Sequence, residues 1–242
     1  MSYKTLKYET TGDVATITLI QAYSNMTMVK ELTSVCNHLE DENPASFVVI
    51  RGTDGNFSKG IDFAEFRPEH PMDIHGFNKW EKICVRIERL PKITIAILEG
   101  AVIGGGFQLA LLADYRIASD NAYFQFPEVQ QGFLPGMAIF RLAKYIGLSH
   151  AKRLILFSQS IDSEKALHLN LIDEISEDIE SSINNLVRQT QPVFPTTVQL
   201  AKRLLSESFH DSFEDAIGHF LAAQHRCIGQ QPFLKHLSKN EK

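Results

Sequence analysis

The sequence predicts an α/β fold in which strands alternate with helices over residues 1–191, followed by an all-helical region over 192–242. Three observations carry this. Apolar strand-like runs recur at Val14 to Ile20, Phe47 to Ile50 and Ile93 to Leu98; segments of helical period lie between them; and the strand signal ends before Pro192.

Taken in order, Leu6 to Thr10 and Val14 to Ile20 alternate apolar with polar residues about Gly12-Asp13, a hairpin pattern. Thr27 is placed to cap a helix whose apolar positions Met28, Leu32, Val35 and Leu39 recur at helical spacing. Pro44 closes that unit before the buried strand Phe47-Val48-Val49-Ile50. Strand, helix, strand implies a right-handed parallel crossover. The next unit repeats it, with a long helix carrying Ile74, Phe77, Cys84, Ile87 and Leu90 on one face and stopped at Pro91. Beyond Asp173 the composition turns polar from Ser176 to Gln191. Thr196 to Leu237 has helical period and no strand signal. That region is too small to hold a core alone, so it is expected to pack on the first domain or on a neighbouring subunit.

A chain of 242 residues is long enough for a sizeable core. Its net charge of −5, with basic residues scattered, argues against a nucleic-acid partner. Cys36, Cys84 and Cys227 are odd in number and widely spaced, which suits free packing thiols in a reducing, cytoplasmic setting. The start Met1-Ser2-Tyr3-Lys4 leads directly into strand-like sequence, so no secretory signal is expected. No apolar run approaches the ~18 residues of a membrane span. A metal site is not expected, because the nine histidines never pair at i, i+4 with a third ligand nearby, and His219 and His225 are six apart. No Gly-x-Ser-x-Gly elbow or Gly-x-x-x-x-Gly-Lys loop is present, and a dinucleotide fingerprint fails at Leu109.

The most informative stretch runs from Gly100 to Asp114. A strand leads into Gly104-Gly105-Gly106, and an apolar helix opens behind them. Glycine lets the main chain approach a ligand, and a helix start leaves N–H groups unpaired. An oxygen gaining negative charge would be stabilised there. A structural turn with close helix packing explains a lone triplet equally well. Two further segments tip the balance: Phe57-Ser58-Lys59-Gly60-Ile61-Asp62-Phe63 upstream and Phe126-Pro127-Glu128 downstream.

With Leu90-Pro91-Lys92, Asp114-Tyr115-Arg116-Ile117-Ala118, and Gly132 and Pro135-Gly136 after Glu128, these motifs resemble the crotonase (enoyl-CoA hydratase/isomerase) superfamily, in order and spacing over about residues 3 to 175. The resemblance implies a repeated ββα spiral with a helical C-terminal trimerisation region, in a homotrimer or hexamer. It implies a substrate that is an acyl-CoA or acyl-carrier-protein thioester, with coenzyme A or phosphopantetheine present only as part of that substrate. It places the N–H groups of Ile61 and Gly105 at the enolate oxygen and Glu128 as acid–base. Hydratases of this kind hold a second glutamate two residues after the triplet. Gln108 stands there instead, and glutamine can orient a water or substrate group but exchanges no proton at neutral pH.

Ser58 and Lys59 would flank the nucleotide end of the coenzyme, beside Asp62, whose own residue type reads more readily as a turn carboxylate. Phe233 and Lys235 match positions that touch coenzyme A. His75 and Trp80 would wall the acyl pocket, although Trp80 reads more readily as a packed aromatic. Phe133, Leu134, Met137, Ala138 and Phe140 would shape it. One carboxylate suffices to shift a double bond, or to remove water from a β-hydroxy thioester as dehydratases of polyketide β-branching pathways do on carrier proteins. A catalytically idle crotonase-fold binding subunit is the reading from another class.

Overall fold

The structure is a computed structural model that describes residues 2–65 and 74–240. It forms two compact units, Met1–Gln189 and Thr190–Lys242.

In the first unit, β1 (Leu6–Thr11) and β2 (Val14–Leu19) make the antiparallel hairpin, with Gly12 at φ +58° in the turn. Helix α1 (Met26–Asp41) follows, and its starting residue differs from the sequence expectation. Asn25, not Thr27, is the cap: its extended backbone lets its side-chain oxygen accept the Met28 N–H at 2.9 Å. Met28, Leu32, Val35, Cys36 and Leu39 line the buried face, as their spacing requires.

β3 (Phe47–Arg51) is buried over its first four residues and lies parallel to β2. Helix α2 (Ile74–Glu88) buries Ile83, Cys84 and Ile87, but Ile74, assigned to that face from the sequence, is 75% exposed in the first turn. β4 (Ile93–Leu98) then pairs parallel with β3. Lys92 is buried ahead of it, its amine donating to the carbonyls of Asn43 and Ala45. That ties the loop into β3 to the start of β4.

The chain next leaves the main sheet, which the sequence did not reveal. β5 (Ala101–Ile103) begins a second, three-stranded sheet. Helix α3 (Gly105–Ala110) follows it, then β6 (Tyr115–Ala118) back in the main sheet and β7 (Tyr123–Gln125) in the second. Asp114 Oδ2 accepts from both the N–H and the hydroxyl of Thr94, fastening β6 beside β4. Helix α4 (Ala138–Leu156), β8 (Ile161–Asp162), α5 (Ser163–His168), β9 (Glu174–Ile175) and α6 (Ile179–Thr190) complete the unit. The polar stretch at 176–191 is thus largely a helix. The main sheet runs β1-β2-β3-β4-β6-β9, and the second β5-β7-β8.

Phe107 on α3 stacks on Phe126 with centroids 4.5 Å apart and meets Phe124 at 5.3 Å. These contacts seat α3 on β7 and on the chain leading to Glu128. Aromatic pairs of this kind add ~0.5–1.5 kcal/mol each beyond the area they bury.

The second unit holds α7 (Pro195–Glu207), α8 (Phe213–Ile228) and α9 (Gln231–Asn240). Ser212 caps α8 by accepting the Asp215 N–H. Ala223 is the one buried hydrophobic residue among the described residues of this unit, while Leu205, Phe209, Phe213, Phe220 and Leu221 are exposed. Such a unit has no core of its own, as its size requires. No helix among the described residues is long and apolar enough to cross a membrane.

Candidate active site

Two residues of the glycine triplet are explained by what lies against them. At Gly104, φ is +54° and a methyl group would fall 2.3 Å from Glu128 Oε1. At Gly105 it would stand 3.4 Å from Ile61 Cγ1 and 3.6 Å from Trp80 Cζ2. At Gly106 it would collide with Ser58 Cβ at 2.4 Å. Gly104 and Gly106 therefore let the Glu128 and Ser58 segments close on one short helix start, whereas a methyl at Gly105 would make only ordinary contact with Ile61 and Trp80.

The loop before α3 is pinned from the other side. Ser58 N–H donates to Ala101 O at 2.9 Å and Ile103 N–H to Ser58 O at 2.9 Å, so this loop runs alongside β5. Gly60, at φ +95°, lies so close to Ile103 that a methyl would approach its carbonyl oxygen to 3.3 Å. Ser24 N–H donates to Gly60 O and Asp62 N–H to Ser24 O, while Gly60 N–H reaches Ser58 Oγ. Gly104 N–H donates to Gln125 O. Among the described residues, these bonds leave without an acceptor the N–H of Ile61 and, in the first turn of α3, those of Gly105, Gly106 and Phe107; Ile61 and Gly105 are the pair that the family resemblance singles out. A buried unpaired amide is costly unless a ligand or water takes it.

Glu128 comes to the same place. It opens a short 3-10 turn, Glu128–Gln131, that ends at Gly132 with the Phe133 N–H bonded to Glu128 O. The residue is 3% exposed, and its Oε2 has no hydrogen-bond partner among the described residues. Burial pushes its carboxyl up to about 7, against a small opposing effect of its own N–H. An unpaired buried carboxyl with a raised pKa is a mark of functional sites.

Gln108 is 1% exposed, and both ends of its amide are taken by protein groups. Trp80 Nε1 donates to its Oε1 at 3.2 Å, and its Nε2 donates to both oxygens of Glu81 at 3.0 Å. Glu81 also accepts the Met137 N–H at 2.9 Å and lies 3.7 Å from Arg141, which Glu88 holds by two hydrogen bonds. Sequence reasoning passed over Glu81. Its only signal was its position one residue after Trp80 on a helix already assigned to the pocket wall. Trp80 is packed against the core and hydrogen-bonded besides.

The remaining candidates separate. Ser58 is 1% exposed, with Oγ bonded to Ala22 O and Gly60 N–H. This corrects its expected placement beside a coenzyme: it is an internal support beneath Gly106. Lys59 is exposed. Asp62 Oδ1 accepts the Ala64 N–H at 2.9 Å, which is turn chemistry. Phe63 and Phe133 meet edge to face at 5.6 Å, joining the Ile61 loop to the turn after Glu128. Leu134, Met137 and Phe140 are exposed, and Ala138 is buried. Phe233 and Lys235 lie on α9 of the second unit, both exposed. In that unit Glu207, Asp211 and His219 place ligand-type atoms within 4.8 Å, and the imidazole pairs with both carboxylates.

Cys36 and Cys84 are buried and are not nucleophiles in this fold. Burial pushes the Cys36 thiol up to about 12 and the Cys84 thiol well above its ordinary value.

A layered α/β chain with a buried carboxyl beside two open main-chain donors is built like an enzyme. The sequence model of the family described as "Enoyl-CoA hydratase/isomerase" matches residues 9–235. An "Enoyl-CoA-hydratase" of Amycolatopsis orientalis is 30% identical over 84% of this chain and 90% of that one. A "Short-chain-enoyl-CoA hydratase" of Clostridium acetobutylicum is 28% identical over 92% and 89%. Among solved structures, an enoyl-CoA hydratase/isomerase from Marinobacter aquaeolei superposes with a TM-score of 0.88 at 25% identity, covering 98% of this chain and 96% of that one. The chain belongs to the enoyl-CoA hydratase/isomerase family of the crotonase superfamily, as an enzyme of hydratase/isomerase type.

Proposed function

We propose that this enzyme acts on an enoyl thioester of coenzyme A through an enolate, with Glu128 as its single acid–base. The observation that carries this is the buried, unpartnered Glu128 carboxyl against Gly104, beside the open N–H groups of Ile61 and Gly105. A thioester oxygen received by both N–H groups would draw in the charge that forms when a proton leaves C2. One such donor is worth roughly 3–4 kcal/mol in a comparable acyl-transfer site.

A carboxyl near 7 takes and returns a proton readily at neutral pH. Glu128 would remove the C2 proton of a 3-enoyl thioester and the electrons would move through C1 onto the thioester oxygen; on their return C2=C3 forms, and the C3=C4 pair takes the proton back from the same carboxyl at C4. The product is the conjugated 2-enoyl thioester. Because Gln108 is engaged with Trp80 and Glu81, it supplies no second acid. A second reading, reversible hydration of a 2-enoyl thioester, is favoured by the names of the relatives. No cofactor beyond the one carried by the substrate enters either scheme. The exposed apolar residues of α7 and α8 fit the expected trimer or hexamer.

The experiment is incubation with 3-enoyl-CoA, 2-enoyl-CoA and 3-hydroxyacyl-CoA, each also loaded on an acyl carrier protein, with ultraviolet and mass readout. Conversion of 3-enoyl-CoA to 2-enoyl-CoA without gain of water supports isomerisation. Interconversion of the other two selects hydration, and turnover confined to carrier-bound substrates selects the carrier-protein dehydratase. Turnover of none would overturn the proposal in favour of an idle binding subunit.

A further inference from the structure

We infer that Glu81 is a positioning residue of this site, whose carboxylate holds the Gln108 amide in one orientation and, through it, the Trp80 ring against Gly105. The inference deepens the proposed function and rests on it.

Gln108 is buried with an acceptor on one side and a donor on the other, the Glu81 carboxylate and the Trp80 indole N–H. A turned amide would set its oxygen against the carboxylate and its NH2 against the indole N–H, two repulsive contacts in a weakly screening interior. Glu81 therefore selects the orientation that gives Trp80 Nε1 its acceptor. The indole held this way stands with Cζ2 3.6 Å from the position of a Gly105 methyl, against the residue whose N–H receives the substrate oxygen.

The same carboxylate accepts the Met137 N–H, which fixes the chain after Gly136 at the start of α4. A methyl at Gly136 would fall 2.6 Å from both Gln108 Oε1 and Glu81 Oε1, so that turn closes directly over the pair. One side chain thus joins α2, α3 and the entry to α4. The arrangement also accounts for glutamine at 108. A glutamate there would bring two carboxylates to about the 3.0 Å that now separates Gln108 Nε2 from Glu81.

Trp80 is the only tryptophan in the chain, so intrinsic fluorescence reads this indole alone. The full-length chain and its Glu81→Ala, Glu81→Gln, Gln108→Met and Glu81→Ala/Gln108→Met variants are compared for Trp80 emission and for kcat and KM on 3-enoyl-CoA. Glu81→Ala and Gln108→Met are expected to shift the emission and to lower kcat about 10- to 100-fold, the weight of hydrogen bonds to a charged group. KM should move by less than about threefold, because the loss falls on the reacting state. The double variant should lose no more than the worse single one, since the two residues act as a unit. Glu81→Gln keeps an oxygen for the Gln108 NH2 and the Met137 N–H, and should stay within about fivefold of the parent kcat.

Native emission with unchanged kcat in Glu81→Ala would overturn the inference, as would additive losses in the double variant or an effect confined to thermal stability. Should Glu81→Ala fail to fold, Gln108→Met reads the same contact, and full kcat in that variant overturns the inference equally. A parent chain that turns over no thioester sinks the proposed function and this inference together. Turnover that Glu81→Ala leaves intact sinks the inference alone.

Discussion

Replacing Glu128 by glutamine should make the protein more stable at alkaline pH while removing its activity. The carboxyl is buried, lacks a partner for Oε2, and titrates at about 7 in place of 4.5. A folded-state pKa above the unfolded value means that the folded chain holds the proton more tightly. The stability this contributes is complete below pH 4.5 and is lost as the pH rises through about 7. At about 1.4 kcal/mol for each tenfold change in proton affinity, ionising the carboxyl inside the fold costs roughly 3 kcal/mol by pH 8.5. Glutamine has nearly the same shape and never ionises. Urea unfolding of the parent and Glu128→Gln chains between pH 4.5 and 8.5 should therefore give curves that lie close together at the acid end. At the alkaline end the variant should be ahead by roughly 2–3 kcal/mol, after allowance for its buried amide. Parallel curves over the whole range, or a variant that loses ground as the pH rises, would refute the reasoning about this carboxyl.

The remaining predictions concern the groups around it. The parent kcat/KM should rise with pH through about 7 as Glu128 ionises, and Glu128→Gln should lower it by about 10²–10⁴-fold and flatten the profile, read by steady-state rates. Gly104→Ala forces a methyl to 2.3 Å from Glu128 Oε1 at a backbone angle that suits glycine, so both thermal midpoint and kcat should fall, kcat by about 100-fold or more; calorimetry and rate assays check this. Gln108→Glu sets a carboxylate beside Glu81, raises the pKa of one of the pair, and should cost about 1–3 kcal/mol more at pH 8 than at pH 5 in urea unfolding. Asn25→Ala removes the cap on Met28 N–H and should cost about 1 kcal/mol without changing KM.

How far the sequence could be read depended on whether a feature was local. The hairpin, the parallel strands and the buried face of α1 follow from periodicities of two and 3.6, and they lie where the pattern puts them. Gly104-Gly105-Gly106 and Glu128 were legible as motifs because their spacing in the chain is fixed. That the three glycines face Glu128, Ile61 with Trp80, and Ser58 in turn was not, because that depends on three segments meeting. The second sheet escaped notice since β5, β7 and β8 are only three, three and two residues long, too short to show a period. Ser24-Asn25-Met26-Thr27 offers several residues able to cap, and only the backbone angles select Asn25. Ser58 was expected at the coenzyme because it lies in the Phe57–Phe63 motif that resembles the family's, yet the space left by Gly106 draws it inward. Glu81 carried no motif at all. Its meaning comes from the glutamine that α3 brings to it.

The most direct measurement is a crystal structure of the full chain with a bound 3-oxoacyl-CoA, whose enolate shares its charge between the thioester oxygen and the C3 oxygen. The thioester oxygen is expected within ~3 Å of both the Ile61 and Gly105 nitrogens, with the Glu128 carboxyl facing C2. A thioester bound with its oxygen on other groups, or with Glu128 on the far side of the acyl chain, would contradict the account.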